Sequence, residues 1–208
     1  MALVQGPLMS MEASGTIGKT LTFSKWKGRA YVRNRVTPAN PRSAAQTGIR
    51  CMVAFLGNAW ELLSAPNKAT FEEGATAKAI SPFNEYMSAN MKLWRDGDIP
   101  ANMTPPAEAQ TPATVSAMTL TGGVGYANLA ITVSTVTNQW GAIVFRSASA
   151  ITVLNRTTAV HVVPIIADVT PEWIDANLEP GTYHYRVAAI TEDGLMGAAI
   201  ADASVVVT

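Results

Sequence analysis

Alternating hydrophobic and polar positions predict a β-hairpin near the start of the chain. The alternation runs over Thr20–Lys25 and again over Ala30–Val36, and residues 26–29, Trp-Lys-Gly-Arg, supply a turn between the two strands. Pro38 and Pro41 then end the second strand and keep the chain extended. A lone hairpin is only marginally stable in water, so we expect it to lie on another surface of this chain or of a partner.

Helical spacing of apolar residues follows the hairpin and predicts two or three short helices. One amphipathic helix is predicted over 42–63, and a weaker pattern predicts a short helix over 67–78. Ser81-Pro82 is a good start for another helix, which Asp96-Gly97-Asp98 ends. The stripe of the first helix consists of Ile49, Met52, Val53, Leu56, Trp60 and Leu63. Since short helices bury little alone, we expect these stripes to pack on each other, on the hairpin or on a partner.

The rest of the chain divides into a proline-rich segment and a strand-rich region. Residues 99–112 contain four prolines and no periodicity, which predicts a semi-stiff linker. Residues 113–208 contain stretches rich in Val, Ile, Thr and Ala, separated by Gly, Asn and Asp. Their spacing is typical of an antiparallel β-sandwich. The predicted strands are 114–120, 127–134, 141–147, 158–166, 182–190 and 198–207, with a short seventh around Trp173 to Leu178.

These elements predict a mainly β protein with a helical insert. Residues 1–98 form the N-terminal arm, hairpin and helices, 99–112 form the linker, and 113–208 form the sandwich. Charge is distributed unequally along the chain. Residues 1–50 carry eight basic side chains and one acidic one, a net charge of +7, and the remainder carries −7. A basic arm on an acidic body predicts a negatively charged partner, either nucleic acid or the acidic body of a neighbouring copy.

Catalytic and metal-binding chemistry has few candidate residues. The chain of 208 residues holds two histidines and one cysteine, and His161 and His184 both fall in the middle of predicted strands. The run Gly122–Gly125 is flanked by strands, which is typical of a hairpin loop and not of a phosphate loop. No apolar run approaches the ~20 residues of a membrane-spanning helix. We therefore expect no enzyme activity, no cofactor, no metal site and no membrane partner.

The basic hairpin is the predicted contact surface. Basic side chains interleave with aromatic ones along it, a composition found both in protein interfaces and in grooves that bind single-stranded nucleic acid. Protein contact is favoured because identical neighbours would offer an acidic surface. The predicted contact residues are Phe23, Lys25, Trp26, Arg29, Tyr31, Arg33 and Arg35.

The C-terminal region resembles a fibronectin type III or immunoglobulin-like domain. The resemblance rests on residues 178–189, Leu-Glu-Pro-Gly-Thr-Tyr-His-Tyr-Arg-Val-Ala-Ala, followed by Glu-Asp-Gly at 192–194. In that family a leucine and a Pro-Gly pair precede a tyrosine whose hydroxyl bonds back to the upstream backbone. The resemblance implies that Tyr183 is this tyrosine corner and that Val187 and Ala189 point into the core. The usual early-strand tryptophan is missing, and Trp140 begins the next strand instead.

The N-terminal region resembles a group of phage-encoded virion proteins over roughly residues 15–95. The shared features are a glycine-rich start at 15–18, the Lys-Gly-Arg turn at 27–29, the stretch Pro-Ala-Asn-Pro-Arg-Ser-Ala-Ala-Gln at 38–46, and a helix carrying Arg50, Phe55 and Trp60. The resemblance implies a structural part of a phage particle, made in the bacterial cytoplasm.

The leading expectation is a capsid decoration or cement protein on the capsid surface. It would bridge and stabilise major capsid subunits and neighbouring copies of itself in a symmetric assembly. One alternative is a tail, head–tail connector or baseplate part. A second is a nucleic-acid-binding protein that uses the hairpin. A third is a carbohydrate-binding module, which needs exposed aromatic residues on loops, and Trp140 and Trp173 are the candidates for that role.

Overall fold

The computed structural model describes residues 2–3, 14–37, 43–106, 111–135, 137–166 and 169–208. They belong to two compact units, Met1–Pro41 and Arg42–Thr208. We call them the N-terminal unit and the body.

The N-terminal unit contains one antiparallel sheet. Its strands, β1 (Ala2–Leu3), β2 (Gly15–Ile17), β3 (Leu21–Trp26) and β4 (Arg29–Asn34), lie in the order β1-β4-β3-β2. Lys27 and Gly28 connect β3 to β4, and both have positive φ, as a two-residue type I′ turn requires. The strands thus pair where the alternation predicts a hairpin. Pro38 and Pro41 lie outside the described residues.

The body begins with four helices, α1 (Ala44–Leu62), α2 (Ala65–Ala69), α3 (Glu72–Lys78) and α4 (Pro82–Asp96). The hydroxyls of Ser64 and Ser81 accept backbone N–H groups at the starts of α2 and α4, and Gly97 ends α4 in the left-handed conformation. Two short helices therefore occupy the region where the sequence predicts one over 67–78.

Seven strands follow among the described residues of the body: β5 (Val115–Gly123), β6 (Tyr126–Val133), β7 (Gln139–Ser147), β8 (Ala159–Pro164), β9 (Glu172–Ala176), β10 (Gly181–Thr191) and β11 (Ala203–Val207). They form a three-stranded sheet, β5-β6-β9, and a four-stranded sheet, β11-β10-β7-β8, with antiparallel neighbours throughout. The inner faces of the two sheets share one hydrophobic core. The predicted strand order along the chain is present, including the short strand at Trp173.

The four-stranded sheet is buried on both faces, because the helices cover its outer side. Residues of alternating parity along β7 and β10 therefore enter two different cores, and both strands read as continuous apolar runs. Ala142, Val144, Val187 and Ala189 face the three-stranded sheet, and Ile143, Phe145, Ala188 and Ile190 face the helices.

The compact units divide the chain at Pro41 and Arg42, and not at the predicted linker. The helices and the sandwich share a core, so they form one body. The first half of 99–112 is also tied to that body. The N–H of Ala101 donates to Asn90 Oδ1 at 2.8 Å, and the N–H of Asn102 donates to the Glu192 carbonyl at 2.8 Å. Residues 107–110 lie outside the described residues.

The buried face of α1 is rotated from the predicted stripe. The helix buries Gly48, Cys51, Met52, Phe55, Leu56 and Ala59, and leaves Ile49 and Val53 exposed. On the buried face, Gly48 lies so close to the backbone of Arg156 that a methyl group there would overlap the Arg156 carbonyl oxygen. The helices therefore pack on the sandwich, which the sequence-based prediction did not consider.

Candidate protein-contact surface

The hairpin places five of the seven predicted contact residues on one face. In the pairing of β3 with β4, Trp26 lies opposite Arg29, Ser24 opposite Tyr31 and Thr22 opposite Arg33. Residues paired in this way share a face, and successive residues alternate between faces. Arg35 follows at the same parity, and its N–H donates to the Thr20 carbonyl at 2.6 Å. We call the surface formed by Trp26, Arg29, Tyr31, Arg33 and Arg35 the arginine face.

The arginine face is open to solvent. Its three arginines are exposed, Tyr31 is half-buried, and Trp26 is 65% exposed. At the tip of the hairpin, the Lys27 ammonium lies 4.8 Å from the centre of the Trp26 ring, a cation–π distance. The face therefore offers two aromatic rings and three fixed positive charges in one row.

Phe23 and Lys25 lie on the opposite face of the hairpin. Phe23 pairs with Val32 and is buried, and Lys25 pairs with Ala30 and is exposed. Within residues 14–37, Phe23 is the one buried side chain. The predicted seven residues thus divide into an exposed row of five and two residues that point away from it.

The two units carry opposite net charge. The N-terminal unit has six basic side chains and one acidic one, which gives +5, and the body has nine basic and fourteen acidic ones, which gives −5. The charge asymmetry of the first fifty residues is thus smaller at the boundary between the compact units, because Arg42 and Arg50 belong to the body, but it keeps its sign.

Tyr183 makes the bond that the resemblance implies for a tyrosine corner. Its hydroxyl donates to the backbone carbonyl of Glu179 at 3.0 Å, just before β10. Val187 and Ala189 are fully buried between the two sheets. These contacts fix the turn into β10 and have a structural role.

An ionic network joins the two sheets of the body, and none of its contacts was predicted from the sequence. Arg146 Nη1 donates to Asp175 Oδ2 at 2.6 Å, and the Tyr185 hydroxyl donates to the same oxygen at 2.9 Å. Burial, followed by the negative charge and hydrogen bond of Asp175, raises the pKa of Tyr185. The sequence did carry one signal of this network. Asp175 lies two positions after Trp173, so the acid shares the inward face of β9 with that apolar residue.

The two histidines and the cysteine make contacts within the fold of the body. The His161 ring stacks on Trp173 at 4.8 Å, and burial lowers the pKa of His161 although Asp175 acts in the opposite direction. His184 Nδ1 lies 2.7 Å from Asp202 Oδ2. Burial raises the pKa of the Cys51 thiol to about 11, so the thiol stays protonated near neutral pH.

An apolar groove runs between α1 and β8, the edge strand of the four-stranded sheet. It has a volume of about 290 Å³, and the described residues that line it include no lysine or arginine. The apolar residues Leu62 and Ile166 are 77% and 48% exposed there. We call this feature the α1–β8 groove; its walls include Phe55, Asn58, Leu62, Trp140, Ile166 and Glu192.

The two tryptophans of the predicted glycan site lie apart from exposed loops. Trp140 is half-buried at the start of β7, with its ring 5.0 Å from that of Phe55. Trp173 lies in β9 and stacks on His161. Neither residue stands out on a loop as a sugar-binding platform would.

Comparison with protein families and with curated proteins finds no match. Two solved structures are similar to part of the chain. The FN1-FN3 domains of chicken CNTN1 are 15% identical with a TM-score of 0.35, covering 46% of this chain and 33% of that chain. A β-1,2-glucanase from Parabacteroides distasonis is 13% identical with a TM-score of 0.35, covering 47% of this chain and 14% of that chain. Among the described residues, no helix is both long and apolar enough to cross a membrane.

Proposed function

We propose that this chain is a structural subunit of a phage particle that attaches to its neighbours through the arginine face. The observation that carries the proposal is the row of Trp26, Arg29, Tyr31, Arg33 and Arg35 on one open side of the hairpin. Arg, Trp and Tyr are the residue types that dominate binding free energy in protein interfaces. Exposed arginines also prefer acidic protein surfaces.

The contrast between the two units supports different roles for them, with attachment by the N-terminal unit and stability from the body. The body has its own cores and a buried ionic network, whereas the N-terminal unit has one buried side chain within 14–37. A thin sheet with an open charged face is suited to completing its burial against a partner. The stacking of His161, the ion pair of His184 and the burial of Cys51 support a role that does not involve catalysis.

We assign the β-sandwich to the fibronectin type III or immunoglobulin-like class. Sheets of three and four antiparallel strands support this assignment, as does the bond from the Tyr183 hydroxyl to Glu179. Such domains are scaffolds, so we infer that the body is a rigid spacer or stabilising element.

Within the particle, the proposed form is a capsid decoration or cement protein. The resemblance of residues 15–95 to phage virion proteins supports this form, in which the N-terminal unit holds acidic shell subunits or neighbouring copies. A tail, connector or baseplate location uses the same attachment and differs in copy number.

The experiment replaces Arg29, Arg33 and Arg35 with alanine in the phage that encodes the chain, and counts copies per particle by quantitative mass spectrometry. The expected result is loss of the variant from purified particles. The matched control replaces Lys92, Arg95 and Arg156 of the body, which changes the net charge equally and should keep full occupancy. Full occupancy by the hairpin variant would overturn the proposal.

Single-stranded nucleic acid is a second candidate partner. Trp26 and Tyr31 share a face with three arginines, an arrangement that can stack bases and bind phosphates. Fluorescence anisotropy with labelled oligonucleotides tests this candidate. Binding whose affinity falls by about one log unit per log unit of salt for each phosphate contact would favour it, and no binding would remove it.

A further inference from the structure

The hairpin tip and the α1–β8 groove are complementary surfaces on different units. The tip presents the exposed Trp26 ring with Lys27 and Arg29 beside it. The groove is apolar, and Glu192 is the one charged residue among the described residues that line it. We infer that the tip of one copy docks into the α1–β8 groove of a second copy. This inference rests on the proposed function, because it names the partner of the arginine face.

Size and chemistry of the groove suit an indole ring. Its volume of about 290 Å³ exceeds that of one tryptophan side chain, and its walls include Phe55, Leu62, Trp140 and Ile166. Aromatic rings prefer such surroundings, in which ring edges and aliphatic groups surround the ring. Asn58 also lines the groove, and its side-chain oxygen can accept the indole N–H. Trp26 would then be the anchor of the contact.

Charge supports a second copy as the occupant. The N-terminal unit carries +5 and the body −5, so a tip from another copy approaches a body of opposite sign. Close to the groove, Glu192 lines the wall, and Glu61 precedes Leu62 on α1. Lys27 and Arg29 beside Trp26 equal these two acids in number and are opposite to them in charge.

The contact joins two different patches and is therefore head-to-tail. Each copy has one tip and one groove, so an interface of this kind repeats from copy to copy and gives rings or open chains. Such repetition suits a protein that covers a symmetric particle, where many weak contacts act together.

The test is sedimentation velocity of the full chain over a range of protein concentrations. The associated fraction of wild-type protein should rise with protein concentration and fall at high salt. Trp26→Ala and Leu62→Asp should each sediment as monomers. Both side chains are largely exposed, so circular dichroism and thermal unfolding should match the wild type. The matched control is Val124→Asp, at a residue that is 83% exposed in the β5–β6 turn, and it should associate as the wild type does.

An equal mixture of Trp26→Ala and Leu62→Asp gives the sharpest readout. One variant keeps its groove and the other keeps its tip, so the mixture should form dimers and nothing larger. A mixture that stays monomeric, a wild type that stays monomeric, or a Val124→Asp control as defective as Leu62→Asp would overturn the inference.

Particle occupancy separates this inference from the proposed function. If wild-type protein is monomeric but the Arg29, Arg33 and Arg35 variant is lost from particles, the arginine face binds a shell protein and only the second-copy contact fails. If that variant keeps full occupancy, the proposed function fails, whatever the sedimentation result.

Discussion

The N-terminal unit and the body use their hydrophobic residues differently. The body buries both faces of its four-stranded sheet, one against the other sheet and one against helices. The N-terminal unit leaves Ile17, Leu21 and Trp26 exposed and buries Phe23 within residues 14–37. The buried side chains of the body therefore stabilise this chain's own fold, whereas most apolar side chains of the hairpin remain available to a partner.

The largest stability effect is expected in the buried network of the body. Asp175→Ala leaves the Arg146 guanidinium and the Tyr185 hydroxyl without their shared acceptor. Because the Arg146 side chain is 27% exposed, the loss should lie at the lower end of the range for buried ion pairs, about 3 kcal/mol of unfolding free energy. Urea unfolding measures this loss. Glu172→Ala, at an exposed position of the same strand, should change the unfolding free energy by less than about 0.5 kcal/mol.

Amide hydrogen exchange of the full chain compares the two units directly. Because few apolar contacts hold the N-terminal sheet, amides of β3 and β4 should exchange roughly 100-fold faster than those of β7 and β10. Measurement by NMR or by mass spectrometry resolves these strands. Equal protection in the two units would contradict the comparison.

Two glycines of α1 provide a matched pair of substitutions. Gly48→Ala forces a methyl group against the Arg156 carbonyl, and overpacking of this kind costs about 1–3 kcal/mol. At Gly57 the added methyl meets nothing within 4 Å, so Gly57→Ala should stabilise the helix by about 0.5–1 kcal/mol. Thermal unfolding should therefore shift in opposite directions for the two variants. A shift in the same direction would show that α1 does not pack on the loop at Arg156 as described.

The smallest expected effect is a pH dependence at Asp202. Burial opposes its ionisation, but the Ile151 N–H and His184 outweigh burial, so the pKa of Asp202 lies below 3.8. Because the pKa is depressed in the folded state, its stabilisation is complete above pH 3.8 and disappears as pH falls through the folded value. At neutral pH, Asp202→Asn should cost less than about 1 kcal/mol. Unfolding curves for variant and wild type should converge in strong acid; a constant difference would contradict this assignment.

Local patterns predicted most of the elements, and long-range contacts explain the rest. The Lys27-Gly28 turn and the alternation around it predict the hairpin. The turn residues between apolar stretches predict the succession of sandwich strands along the chain. The boundary between units was not predictable from the prolines of 99–112, because the bonds of Ala101 and Asn102 to distant residues leave no local pattern. The continuous apolar run of 142–145 was a signal of a strand buried on both faces.

The arginine face was predictable because it depends on local alternation along the chain. Residue parity within a hairpin assigns Trp26, Arg29, Tyr31, Arg33 and Arg35 to one face without knowledge of the rest of the fold. The α1–β8 groove was not predictable, because it depends on how α1 crosses β8. That crossing includes the close contact of Gly48 with the Arg156 backbone, which leaves no local pattern in the sequence.

The copy number of this chain in purified phage particles is the decisive measurement. Quantitative mass spectrometry would compare it with the major shell protein of the phage that encodes it. We expect a ratio near one or a simple fraction of one, as for a protein that covers the shell. Absence of the chain from purified particles would show that it is not a structural subunit of the particle.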